Sequence, residues 1–236
     1  MKVSVSKGKM NLKFLKMRTI TFLFFISFLS FENLSANEIS NSEKEGIILM
    51  REEEKLAHDV YRFLYEKWGL NIFSNISESE TRHFNAMAYL IEDFNLADPA
   101  LKEPGKFQNK ELQFLYDSLT NRGSESVIAA LQTGAFIEEL DIQDLQQLMG
   151  ETENATILSV FQNLLRASGN HLRAFTGQLA SRDYEYSPSV LPASNYQSVI
   201  ETPHQRGMGN GNCKNQNNCR NNRPDGKRYR GGRGNN

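Results

Sequence analysis

Cysteine is nearly absent, with two residues in a chain of 236. A disulfide framework therefore cannot hold this protein together. Long hydrophobic runs are absent too. The longest, Ile20 to Phe31, covers about 12 residues, whereas a bilayer-crossing helix needs roughly 20. Proline occurs six times and nowhere in 37–98 or 105–187, so two long tracts are open to helix. An excess of one charge is missing overall: 27 bases face 28 acids, for a net charge of −1. Apolar residues are plentiful. They make up 39% of the chain, too many for a wholly disordered polypeptide. The length allows one domain with appendages.

The near-zero net charge conceals an uneven distribution. Six bases and one acid, Glu32, fall in residues 1–36, and eight bases and one acid, Asp225, fall in 204–236. Residues 37–203 keep the remaining 13 bases and 26 acids, a net of −13. Six early bases, the apolar run and then Leu34-Ser35-Ala36 read as a secretory signal cleaved after Ala36. The expected location is therefore periplasmic or secreted, with no membrane span after cleavage. Residues 204–236 are rich in Gly, Asn and Arg and bury too little apolar surface to offset ordering entropy, so they read as a disordered basic tail. Its ending, Arg230-Gly231-Gly232-Arg233-Gly234, is of the kind that touches anionic surfaces or single strands. Cys213 and Cys219 lie in the same tail, where an oxidising compartment can close them into a small loop. The acidic middle argues against a nucleic-acid partner for the folded part and fits a protein that handles cations.

That middle is helical in pattern. Ile47, Met50, Ala57, Val60, Leu64 and Trp68 recur at helical spacing from Glu43 to Trp68, and Gly69 follows as a stop. Ser77 and Glu80 have capping-box spacing and predict a second helix from Ser77 to about Asn95, with His83, Met87, Leu90, Ile91 and Phe94 inward. Pro99 and Pro104 break the chain, and a short helix is expected near Lys110–Arg122. A third long helix runs from about Glu125 to Met149 and a fourth from about Asn154 to Ala180. Pro188 and Pro192 mark the loss of regular structure. Four long helices, no β pattern and one long connection give an all-α expectation: a ferritin-like four-helix bundle over 37–203, with the crossover between helices 2 and 3.

The inward stripes carry polar residues: Glu54 on the first helix, Glu80 and His83 on the second, Glu138 and Asp141 on the third, His171 on the fourth. Residues three apart on a helix can reach one point. Four carboxylates in one core are costly without compensation, and two divalent cations bring four positive charges. Carboxylate oxygens with two imidazoles suit iron or manganese. The bland alternatives are a solvated charge run at Glu52-Glu53-Glu54, a surface Glu138-Glu139 pair with one member inward, and a hydrogen-bonded core histidine at 171. Periodicity does not separate Glu53 from Glu54, and His58, one position off the stripe, reads as surface.

These residues carry a resemblance. Glu54-Lys55-Leu56-Ala57-His58-Asp59-Val60-Tyr61 resembles the first ligand helix of ferritins and rubrerythrins, Glu-x-x-Ala-x-x-x-Tyr, and so selects Glu54. Glu80-Thr81-Arg82-His83 matches their second-helix Glu-x-x-His. Glu138-Glu139-Leu140-Asp141 resembles the third-helix Glu-x-x-Glu, with Asp last. Ser168-Gly169-Asn170-His171 aligns with the fourth-helix Glu-x-x-His, with Ser168 where Glu is expected. Met50–Ala57, Phe73–Ile76 and Asn170–Phe175 resemble more narrowly the bacterial and archaeal proteins that carry domain of unknown function 2202, over about 45–200. The resemblance implies two iron ions, with manganese as the alternative, held by Glu54, Glu80, His83, Glu138, Asp141 and His171, with Tyr61 and Asn170 orienting ligands by hydrogen bonds. It implies redox chemistry on peroxide, dioxygen or ferrous iron, and a possible homodimer. Two rival expectations are non-enzymatic metal sequestration and an interaction module that works through the basic tail.

Overall fold

The computed structural model describes residues 38–204. The segment expected to be a secretory signal and the tail with Cys213 and Cys219 lie outside the described residues. Six helices follow in order: α1 (Asn41–Trp68), α2 (Asn71–Asp93), α3 (Lys110–Gly123), α4 (Val127–Gly150), α5 (Ala155–Ala180) and α6 (Ala193–Glu201). There is no strand among the described residues, so this part of the chain is all-α. None of these helices is long and apolar enough to cross a membrane.

Local chemistry sets most boundaries. Ser40 caps α1 in a reciprocal box with Glu43, and Gly69 ends it in the left-handed conformation (φ 67°), donating its N–H to Tyr65. Asn109, Ser126 and Asn154 cap α3, α4 and α5 through their side chains. The expected start of the second helix at Ser77 is corrected: α2 begins six residues earlier and Ser77 lies inside it, its hydroxyl donating to the Ser74 carbonyl. Burial decides this. Phe73 is fully buried against Tyr61 and Phe175, with ring centroids 6.3 and 5.7 Å away, and helix is the conformation that carries it there. The expected loss of structure after Pro188 is also corrected. Pro192 stands immediately before α6, where its fixed φ and missing N–H cost nothing.

α1 packs along α2, and α4 along α5. α1 also meets α4, and α2 meets α5; α3 bridges α1 and α4, and α6 lies on α5. The 94–126 connection carries α3. Arg51 pins its first part from α1, stacking 3.2 Å from the Phe84 ring centroid and pairing with Asp98 at 2.8 Å. Asp59 pins the next part, accepting from Lys55 Nζ at 2.5 Å and from the Gly105 N–H at 2.8 Å. Glu52 accepts from the Gln108 N–H at 3.1 Å. Gly134 gives α5 room: a Cβ there would lie 2.4 Å from the Phe175 ring.

Apolar burial falls into two blocks on each long helix. On α1, Ile47 and Met50 belong to one cluster and Ala57, Val60 and Leu64 to the other. On α5, Ile157, Phe161 and Leu164 are separated in the same way from Leu172, Phe175 and Leu179. On α1, α2 and α5 the polar positions singled out above lie between the blocks.

The Glu138-Glu139 pair is not on the surface; both residues are 0% exposed. Glu139 points away from its neighbour's cluster and accepts from the Tyr186 hydroxyl (2.5 Å) and from the N–H groups of Ser189, Val190 and Leu191 (the last at 2.8 Å). One carboxylate thus anchors the strap that leads to α6. Hydrogen bonds to a charged acceptor, with the penalty for stranded donors, put Glu139→Ala at about 3 kcal/mol. A domain of this size then loses roughly 10 °C in Tm. Thermal denaturation checks this, together with faster hydrogen exchange at the amides of 189–191. Unchanged exchange there contradicts the anchor.

Candidate metal centre

Four helices deliver side chains to one buried layer. Glu54 (α1) is 0% exposed, Glu80 (α2) 1% and Glu138 (α4) 0%. His83 and His171 lie beside them, each with 11% of its side chain exposed. Glu80 is central. Its Oε2 lies 2.6 Å from His83 Nδ1, and its Oε1 lies 2.8 Å from His171 Nδ1. Glu54 Oε2 is 3.4 Å from the first ring, and Glu138 Oε2 is 3.4 Å from the second. The imidazoles stack with centroids 5.7 Å apart. Two ligand triads result, Glu54–Glu80–His83 and Glu80–Glu138–His171, each with donor atoms within 4.8 Å of one another. They share Glu80.

The other predicted residues take distinct places. The Tyr61 hydroxyl donates to Glu138 Oε1 at 2.6 Å and to the Gly134 carbonyl at 3.3 Å. Asp141, 4% exposed, is in neither triad but lies close enough to feel the charges of Glu54 and Glu138. Asn170 accepts from Arg173 at 2.5 Å. Ser168 is buried and donates to the Leu164 carbonyl at 3.2 Å, so its hydroxyl is engaged within its own helix. The charge run at 52–54 is not solvated, since Glu52 is 4% and Glu54 0% exposed. Glu53, which periodicity could not place, turns to Asp144. His58 is half-buried and pairs with Asp59 at 2.9 Å.

Electrostatics describe carboxylates that burial and mutual repulsion push toward their neutral forms. Burial pushes the Glu54 carboxyl up to about 7, more than the His83 charge can offset. Burial also raises Asp141 well above the usual carboxylate range, and the Glu54 and Glu138 charges add to this. Glu138 is raised by burial despite His171. Burial would raise Glu80 as well, but His171 and His83 hold it below its ordinary value. For His83, burial favours the neutral ring, and the Glu80 and Glu54 carboxylates outweigh it, holding it up to about 10. Protons stand in here for positive charge.

Hydrogen bonding leaves the cluster incomplete. Both oxygens of Glu54, Glu80 Oε1, Glu138 Oε2 and His171 Nδ1 are buried without a hydrogen-bond partner. His171 Nδ1 and Glu80 Oε1 approach to 2.8 Å but off the line a hydrogen bond requires. Buried polar atoms are rarely left so. Buried carboxylate oxygens and imidazole nitrogens that converge with hydrogen-bonding capacity to spare are an arrangement that a metal ion can satisfy.

A family model described as the uncharacterized protein domain DUF2202 matches residues 43–203. The chain belongs to this family. Within the DUF2202 span lie all six predicted ligands and α6. The uncharacterized protein MJ0754 of Methanocaldococcus jannaschii is 44% identical over 177 residues, which cover 75% of this chain and 96% of that protein. A crystal structure of the hypothetical protein MJ0754 from Methanococcus jannaschii matches with a TM-score of 0.70 and 44% identity, over 71% of this chain and 97% of that one. The DUF2202 match stops at 203, leaving the basic tail outside it.

Sequence reasoning missed Glu139 and Glu53. The partners of Glu139 are mostly backbone amides fifty residues away, which leave no side-chain signal. Asp144, three residues after Asp141, is the one available hint for Glu53.

Proposed function

We propose that this DUF2202 protein is a ferritin-like four-helix bundle built around a two-metal carboxylate centre of iron or manganese, exported by residues 1–36 and acting on peroxide, dioxygen or ferrous iron. The observation that carries this reading is Glu80, whose two oxygens face two histidines from different helices, each histidine backed by a further carboxylate. Glu54, Glu80 and His83 hold one ion, and Glu80, Glu138 and His171 the other. Such ions, when bound, supply electron transfer to a small oxidant and Lewis acidity.

The chain's own residues do the rest. Tyr61 fixes the orientation of Glu138 by hydrogen bonding. Asp141 brings the fourth negative charge that two divalent ions balance. The apolar blocks on either side keep the layer dry, which strengthens every charge interaction in it. Both imidazoles keep a slight exposure, 11% of each side chain, which suits a small reactant.

The purified protein, expressed with iron and manganese supplied, is expected to carry close to two metal equivalents by elemental analysis and to consume peroxide faster than its Glu80→Gln variant. Two bound equivalents without turnover point to sequestration. A metal-free protein after both supplements overturns the reading.

A further inference from the structure

α5 has a second polar face, turned away from the metal layer. Together with α4 and α6 it encloses a cleft of about 270 Å³. Arg166 and Arg173 both line it, along with Gln146, Gln162, Asn195 and Ser198, and no acidic residue does. This is unusual in a domain that carries 26 acids against 13 bases. The two arginines are seven residues apart, about two helical turns, on one side of α5, with Gly169 between them in the cleft wall.

Arg173 is only partly satisfied. Its Nη1 donates to the Val199 carbonyl at 2.6 Å and its Nη2 to Asn170 Oδ1 at 2.5 Å. Its Nε is buried and has no hydrogen-bond partner. Arg166 donates to the neutral Asn163 at 2.9 Å. Among the described residues neither guanidinium has a carboxylate at ion-pair distance, although Arg51, Lys55 and Arg62 all do. Asn195 Nδ2 donates to Gln146 Oε1 at 2.8 Å, tying α6 to α4. A guanidinium presents a planar fork of donors matched to carboxylate and phosphate oxygens.

We propose that the cleft between α4, α5 and α6 is a binding site for a small oxyanion, a carboxylate- or phosphate-bearing molecule held by Arg166 and Arg173. The basic tail is the wrong sign to fill it, and the volume lies below that of a drug-sized pocket. The site is separate from the metal layer: His171 points to one side of α5 and Arg173 to the other.

Titration calorimetry on the full chain at fixed ionic strength, with inorganic phosphate and with malonate as probes, tests this. One saturable equivalent of at least one probe is expected. Arg166→Gln and Arg173→Gln each weaken it tenfold or more, and Arg166→Lys recovers part of the loss. Tighter phosphate binding assigns a phosphoryl ligand, and tighter malonate binding a carboxylate. Arg173→Gln also removes the tie to Val199, so Arg166→Gln, which leaves α6 untouched, decides if the former fails to fold. No binding of either probe overturns the proposal. So does binding that both variants retain, since the anion is then on the tail. Metal content stays unchanged in Arg166→Gln, which keeps the two sites distinguishable.

Discussion

Glu80→Gln is expected to abolish binding at both metal positions at once. Glu80 gives one oxygen to each triad, so a single amide removes the shared ligand and one of the charges that attract both ions. Loss of a partner that merely orients a ligand costs roughly 10–100-fold in affinity, and loss of the shared ligand is expected to exceed about 100-fold. Glu54→Gln and Glu138→Gln each touch one triad, so each is expected to leave one equivalent bound. The amide is isosteric, and the two imidazoles that lose the Glu80 charge can give up a proton and stay neutral, so the fold is expected to persist. Metal stoichiometry beside circular dichroism separates the outcomes. Two equivalents on Glu80→Gln at wild-type affinity contradict the shared-ligand arrangement.

Metal addition is expected to stabilise the protein strongly, and more so at high pH. At a free metal concentration a thousandfold above Kd the gain is about 4 kcal/mol, which is roughly 8–16 °C in Tm for a domain of this size. The pH dependence follows from the two shifts given above. Glu54 sits at about 7 when folded, against 4.5 for a free carboxyl. Without metal the fold therefore holds a proton that the unfolded chain releases, and this contribution is lost as pH rises from 4.5 through 7. His83, at about 10 against 6.5, acts in the same direction: its contribution is full below 6.5 and is lost as pH rises through 10. Metal binding must expel these protons, so affinity climbs where the metal-free fold weakens. Differential scanning calorimetry at pH 5.5 and 8, with and without manganese, is expected to show the larger shift at pH 8. An equal or larger shift at pH 5.5 contradicts the assignment of Glu54 and His83 as ligands.

Much of this was legible in the sequence. The long helices follow from apolar spacing, and the end of α1 follows from Gly69. Glu80, His83, Glu138 and His171 follow because each interrupts an apolar stripe, a costly choice without a partner, whereas Glu54 was told from Glu53 by the family resemblance alone. Two things were not legible, for the same reason. The start of α2 is set by the fit of Phe73 between Tyr61 and Phe175, and the burial of Glu139 is set by amides of a segment that reads as irregular. Both are tertiary contacts between distant stretches, and neither leaves a periodic trace. Asp141 shows the limit of spacing arguments. Three residues after Glu138, it reaches the same layer but falls outside both triads, and Ser168, in the expected place of a carboxylate, spends its hydroxyl on its own helix.

Anomalous scattering from manganese-soaked crystals tests the central claim most directly. Two peaks are expected roughly 3.5–4 Å apart, as in other two-metal sites, one bounded by Glu54, Glu80 and His83 and the other by Glu80, Glu138 and His171. Density that shows no ion in this layer, with Glu80 closed onto both histidines by protons alone, contradicts it.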